Sequence, residues 1–422
     1  MNLTYVHNDV YSYQIQDNLD LFHHQCTFRE KGIMKLSKMI IAGFASVSML
    51  IGMAACGGGT ATRGSSNGSG TSIKKGDTIG ISMPTKADQR WNVDGSNLKS
   101  DLQKAGFKVI LSYANNSPSQ QSTDINNLVS AGAKAIVVAS VDGTAVGPAV
   151  NQAKAAGNIV IAYDRLIMNS DSVDYYVTFN LERTGILEAD HIIDKLNLKN
   201  GGCKPTACNI ELFTGSDDDN NAPYFFKGAW NLLQPYFKSG QLKDPSNHGG
   251  GITASFTNSD WKKISVHAWD QNTAQSQMDA IMSQAYSHGE KLSAVLSPYD
   301  AISQGVINSI KSHRPDMIPG TDSWPVITGQ DGMDIAIHNI YWGMQGQTVF
   351  KNVALLASQT TKIISTLSNG RKPSGFGGTM NNGKMNVPSY FEKSQELTKS
   401  NLHTEVEVGF ITEAQYQKDI QK

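Results

Sequence analysis

The stretch AIVVASVDGTAVGPAVNQAKAAGNIVIAYDRLI, residues 135–167, decides the fold. An uninterrupted apolar run opens it at Ala135, and a second one, IVIAY, occupies Ile159–Tyr163. Short apolar runs without polar alternation suit strands covered on both faces, as in a parallel sheet. Between them, Ala145–Ala156 is rich in small and apolar residues and reads as the crossover helix that parallel strands require. Asp164 and Arg165 follow the second strand directly.

The same rhythm extends in both directions. Upstream come a strand at TIGISM (78–83), a helix with Leu98, Leu102 and Ala105 at i, i+4 and i+7, a strand at KVILSYA (108–114) and a helix carrying Ile125, Leu128 and Val129. After Phe179 the pattern restarts. It predicts a helix over Glu182–Leu196, a strand at NIELFTG (209–215), helices at 222–237 and 273–286, a strand at SAVLSPY (293–299), a helix over 302–312 and a strand at PVITGQ (325–330). Two consecutive doubly wound, Rossmann-like α/β lobes are the expectation, with no segment left over for a DNA-binding head.

Composition narrows the function. The 422 residues hold 36 Lys+Arg against 37 Asp+Glu, a net charge of -1, and only 17% are charged. A broad basic surface for nucleic acid is excluded on that balance, and 39% hydrophobic residues with 39 Gly do not describe a polytopic membrane protein. One apolar segment stands apart: Met39–Ala55 follows Lys35 and Lys38 and precedes Cys56 and Gly57–Gly59. A basic start, a short apolar run and small residues before cysteine make an export signal, and Ala54-Ala55-Cys56 resembles the end of a bacterial lipoprotein signal. The expected organisation is a signal at 34–55, lipid on Cys56, a Gly/Ser/Thr-rich tether at 56–75 and a folded body beginning near Gly76. Residues 1–33 are expected to precede the true translation start at Met34. Cys203 and Cys208, five apart in GGCKPTAC, are either a disulfide, which an exported context permits, or two free thiols.

Ligands of open α/β sheets bind beyond the carboxyl ends of the strands, so the polar residues there are informative. They are Gln89-Arg90-Trp91, Asp164-Arg165, Asp217–Asn221, Trp269-Asp270 at the end of a further expected strand, Asp300 and Asp331. Carboxylates accept, guanidinium groups donate in a fixed fork and amides do both, which suits an uncharged polyhydroxylated ligand. Indole faces cover the apolar C–H patches of a sugar ring. A calcium loop at 217–228 fails because Ala222 and Gly228 stand where glycine and a bidentate glutamate belong, and neither zinc nor any other metal or cofactor is expected.

With these motifs on view, the chain resembles the type I periplasmic sugar-binding receptors of ABC importers, closest to the xylose-binding and multiple-sugar-binding group. The likeness runs from about Thr78 to the C-terminus. It is carried in order by Arg90-Trp91, SVDGT (140–144), AYDRLI (162–167), DDNNA (218–222), Trp269-Asp270, LSPYD (296–300), GQD (329–331) and VFK (349–351). The resemblance implies two lobes joined by three hinge crossings, an N-lobe at 76–179 and 348–388 and a C-lobe at 180–347 and 389–422. It also implies ligand contacts from Arg90, Trp91, Asp164 and Arg165 in the first lobe, from Asp219, Asn221, Trp269 and Asp300 in the second, and from Asp331 and Lys351 near the hinge, with Gln347 a weaker candidate. The implied ligand is an aldopentose or aldohexose such as xylose, arabinose, glucose or galactose. The implied partners are a permease and its ATPase, and the receptor itself is expected to be a monomer held outside the cytoplasm on the cell membrane. A fructose or ribose receptor, or a sugar sensor serving a signalling partner, is the alternative.

An enzyme would use paired carboxylates as acid and base. The cations expected beside them would hold those carboxylates ionised, and no Walker A or HExxH motif is present. A binding protein is the expected class.

Overall fold

A computed structural model of the chain describes residues 72–421. The signal at 34–55, Cys56, residues 1–33 and most of the tether lie outside the described residues. The described chain opens with β1 (Thr78–Met83), α1 (Gln89–Lys104), β2 (Lys108–Tyr113), α2 (Pro118–Ser130), β3 (Ala135–Val138), α3 (Gly147–Ala155), β4 (Ile159–Tyr163) and β5 (Tyr175–Phe179). These strands pair in parallel in the order β5-β4-β3-β1-β2.

Alternate residues of each strand face opposite sides of the sheet, and both sides are covered. Ile79, Ile81, Met83, Val137 and Ile161 pack with Leu98 and Leu102 of α1 in one cluster. Ile136, Val138, Val160 and Ala162 pack with Ile125, Leu128 and Val150 in another. Each fully buried branched side chain contributes about 1.5–3 kcal/mol over its exposed state, which is why the strands read as continuous apolar runs. Ile73 joins the first cluster at 1% exposure. Packing therefore starts inside the stretch expected to be tether, because Ile73 is the one apolar side chain between Ser72 and Lys75.

The second lobe is built from α4 (Leu181–Lys195), β6 (Cys208–Leu212), α5 (Ala222–Lys238), β7 (Leu242–Lys243), α6 (Gln271–Ala285), β8 (Leu292–Leu296), α7 (Asp300–His313) and β9 (Val326–Ile327). Its four-stranded parallel sheet runs β7-β6-β8-β9, again with a core on each side. Cys203 and Cys208, at the start of β6, form a disulfide.

The chain then passes β10 (Gln330–Asp331), α8 (Asp334–Tyr341), β11 (Thr348–Phe350), α9 (Val353–Ser368), β12 (Gly378–Asn381), β13 (Asn386–Glu392) and β14 (Gln395–Leu397) before short helices α10 (Thr404–Glu407) and α11 (Glu413–Asp419). The stretch PVITGQ, expected as one strand, is two short ones, because the chain leaves the β8 edge at Thr328-Gly329 and β10 joins a separate sheet with β11 and β14. β13 returns to the first sheet beside β5, and α9 packs on the same side as α1. Three crossings thus join the lobes, at Phe179–Leu181, Phe350–Val353 and Glu392–Gln395. The second and third fall a few residues beyond the expected 348 and 388, because β11 pairs outside the first sheet while β13 stays in it through Glu392.

Candidate functional site

Strand ends and helix starts from both lobes converge on one cleft. Arg90 stands in the first turn of α1, placed there by Asp88, whose side chain accepts the Arg90 amide at 3.0 Å and caps the helix. Its buried guanidinium is surrounded by three carboxylates: Nε meets Asp94 Oδ2 at 3.3 Å, Nη1 meets Asp331 Oδ2 at 3.2 Å, and Nη2 pairs with Asp164. Burial opposes the charge, but Asp164, Asp331 and Asp94 together outweigh it and hold Arg90 well above its ordinary range. Asp331 is also buried, yet Arg90 and Lys351 win over that burial and pull it below the usual carboxylate range. Lys351 Nζ lies 2.8 Å from Asp331 Oδ1 and 4.9 Å above the Phe225 ring. Turned so that both its amide atoms are satisfied, Gln330 joins Lys351 Nζ at 2.7 Å to Glu188 Oε1 at 3.2 Å.

A second group forms around Arg165. Its Nε lies 2.9 Å from Asp219 Oδ2, and its guanidinium and that of Arg90 each sit 5.1 Å from the Trp91 ring. Asp219 is raised by burial in spite of Arg165, and it accepts the Asn221 amide at 2.8 Å and the Trp269 indole N–H at 3.2 Å. Trp269 leans edge-on to Phe225 and Tyr299. It lies against Gly215, where a Cβ would come within 1.9 Å of its ring. No strand presents it; Ala268 and Trp269 take φ of 54° and 57° in a tight turn after a single bridge between Thr214 and Ser265. Asp164 and Asp331 likewise sit at positive φ, 59° and 100°. Backbone of this kind costs energy and persists where its surroundings fix it.

The lobes touch directly. Asn221 Nδ2 donates to the Asp164 carbonyl at 2.9 Å, the Tyr176 hydroxyl donates to Asn221 Oδ1 at 3.1 Å, and Asn220 Nδ2 donates to the Leu166 carbonyl at 2.8 Å. The free cavity in this closed arrangement is about 30 Å³, the space of about two water-sized spheres. A larger ligand enters only if the lobes part.

Of the expected residues, Arg90, Trp91, Asp164, Arg165, Asp219, Asn221, Trp269, Asp331 and Lys351 line this cleft. Asp300 does not. It is fully buried and accepts the Gly332 and Met333 amides, each at 2.9 Å, the Thr348 hydroxyl at 3.1 Å and the Gln345 amide at 2.9 Å. It supports the backbone just past Asp331 instead of facing the cleft. Gln347 is fully buried and away from the lining too. Asp88 and Phe225 line the cleft from outside the sequence motifs, and Tyr299 and Gln330, within LSPYD and GQD, line it although neither was expected as a contact. Nor do the cations lower every carboxylate: burial prevails at Asp219, and it pushes Asp94 and Asp300 up to about 7.

This arrangement offers charged donors and acceptors between aromatic walls, a set that hydroxyl groups can satisfy from several sides. Comparisons with known proteins agree with the architecture. Residues 79–372 match the model of the periplasmic binding protein domain. The chain is 41% identical over 342 residues to a multiple sugar-binding periplasmic protein of Azospirillum brasilense, covering 80% of this chain and 91% of that protein. It is 40% identical over 325 residues to a multiple sugar-binding periplasmic receptor of Rhizobium radiobacter, covering 77% and 87%. Among solved structures, an ABC transporter solute-binding protein from Clostridium phytofermentans with bound β-D-glucose superimposes with a TM-score of 0.73 at 37% identity, over 81% of this chain and all of that one. With the fold, the three crossings and these matches in agreement, the chain belongs to the periplasmic binding protein family.

Proposed function

We propose that the chain is the capture subunit of an ABC importer and takes one monosaccharide, an aldopentose or aldohexose, between its lobes. The observation that carries this reading is the interlobe cleft in which Arg90, Asp164, Arg165, Asp219, Asp331 and Lys351 meet beside Trp91 and Trp269. In the closed structure these groups pair with one another. A sugar entering the opened cleft exchanges part of that pairing for hydroxyl contacts, and its contacts to both lobes favour reclosure. The relatives named above as sugar-binding and the glucose-bound neighbour support the ligand class. The protein acts as a receptor and not as an enzyme.

Export and anchoring complete the proposal. The apolar run before Cys56 directs the chain out of the cytoplasm, lipid on Cys56 holds it to the membrane, and the Gly/Ser-rich stretch lets a monomer reach the permease. A thermal-shift panel of free monosaccharides tests the ligand class: at least one should raise the melting temperature by several degrees at millimolar concentration, because it binds only the folded state. No shift with any pentose or hexose would remove the reading. Cys56→Ser should move the protein from the membrane to the soluble fraction; unchanged membrane association would refute the anchor.

A further inference from the structure

Three consecutive residues of the second lobe meet three consecutive residues of the first. Arg165 Nε lies 2.9 Å from Asp219 Oδ2, Asn220 Nδ2 donates to the Leu166 carbonyl at 2.8 Å, and Asn221 Nδ2 donates to the Asp164 carbonyl at 2.9 Å. Asp219, Asn221, Asp164 and Arg165 all line the sugar cleft, whereas Asn220 and Leu166 do not. Asn220 instead seats against Gly143 of the first lobe, where a Cβ would come within 2.3 Å of Asn220 Nδ2 and 2.5 Å of the Leu166 carbonyl oxygen. The Gly143 carbonyl accepts the Met168 amide at 2.9 Å, which ties Gly143 to the strip that carries Leu166. The first lobe thus presents a seat shaped for an amide, with a carbonyl to accept it and a residue without a side chain beside it. Resting on the sugar reading above, we propose that Asn220 is the closure residue of the receptor: it sets the affinity for every sugar the cleft accepts by holding the lobes together, and it touches none of them.

When the lobes are parted, water satisfies the Asn220 amide and the Leu166 carbonyl separately, so their bond weighs only on the closed side of the equilibrium. Sugar affinity follows how readily the lobes close around it. Donor and acceptor are both neutral, which makes the bond a modest one. Its removal leaves the groups around the ligand with their own partners, since Asp219 keeps Arg165 and Asn221 keeps the Asp164 carbonyl. A residue that acts through closure weakens all sugars by one common factor. A residue that contacts the ligand weakens them unequally, because sugars differ in the hydroxyls they present.

The test measures calorimetric affinity and stopped-flow association and release with glucose, xylose and galactose. It compares the unaltered chain with Asn220→Ala, which deletes the amide, and with Asn220→Asp, which sets a carboxylate against the Leu166 carbonyl oxygen. Asn220→Ala should bind each sugar that the unaltered chain binds about 5-fold more weakly, the worth of one neutral hydrogen bond. The loss should lie in faster release, with association within about 2-fold, since the bond forms only after the sugar has entered. Asn220→Asp should lose more than Asn220→Ala. Unequal losses among the sugars make Asn220 a ligand contact and overturn the proposal, and so does an unchanged release rate in Asn220→Ala. If the unaltered chain binds none of these sugars, the functional reading falls and the closure role with it; sugar binding that Asn220→Ala leaves unaffected removes the closure role alone.

Discussion

Asp331 reaches both Arg90 and Lys351 only because its backbone is held at φ 100°, and Asp300 is what holds the turn that follows. Asp300→Ala leaves the Met333 amide and the Thr348 hydroxyl without their acceptor and the Gly332 amide with only Thr348 Oγ1 at 3.2 Å, which should cost about 1–3 kcal/mol of stability. It should also weaken sugar binding several-fold even though Asp300 does not line the cleft, as Asp331 relaxes. A denaturant midpoint and a titration on the same sample check both. A fall in stability with affinity untouched would show that Asp300 supports the fold alone. The same pair shows how far motifs can be read. LSPYD stood out in the sequence, but Tyr299 is extended, at φ -167°, and neighbouring side chains of extended backbone point to opposite sides. A motif cannot say which neighbour faces the ligand, so Asp300 was expected in the cleft where Tyr299 stands. Arg90-Trp91 and Asp164-Arg165 were legible because each closely follows a strand whose apolar run ends visibly. Phe225 was not, since one aromatic on an apolar helix face looks like any other core residue.

Among the elements, α4 and α5 set the wall of the cleft by how closely they approach. A Cβ on Gly185 would lie 1.8 Å from the Phe225 carbonyl oxygen, and one on Gly228 would lie 2.1 Å from that of Glu182. Two glycines on facing helices let the backbones come together, and α5 begins just after Asn221 and carries Phe225. Gly185→Ala should therefore push the helices apart and destabilise the protein by about 1–3 kcal/mol, seen as a lower denaturant midpoint. An unchanged midpoint would mean that the helices adjust without strain. Element type was readable from periodicity across both lobes. Its failures are short and local: PVITGQ divides where the chain changes sheets, and the Trp269 segment is a turn, because the positive φ of Ala268 and Trp269 is not something side-chain pattern reveals.

On the scale of the whole molecule, folding buries ionisable groups that keep their protons, and that makes stability depend on pH. Glu405 is fully buried, both carboxylate oxygens lack hydrogen-bond partners, and burial, then Asp300, Asp334 and Asp419, push it up to about 9. In the second lobe burial pushes Glu211 up to about 8. These carboxyls keep their protons in the folded state while the unfolded chain releases them near pH 4.5. Their contribution to stability is complete below that pH and is lost as pH rises through 8 and 9. The melting temperature should thus fall between pH 5 and pH 9, and Glu405→Gln, which cannot ionise, should flatten the decline; an equally steep decline in the variant would assign the effect elsewhere. The central claim is that one sugar is held between two lobes by charges contributed from both. Calorimetric titration of the purified chain and of Arg90→Ala with the monosaccharide that raises its melting temperature tests this most directly. The account requires one ligand per chain and an affinity at least about 10-fold weaker in the variant, because Arg90 is the cation shared by Asp164 and Asp331. A stoichiometry other than one, or equal affinity in the two proteins, would contradict it.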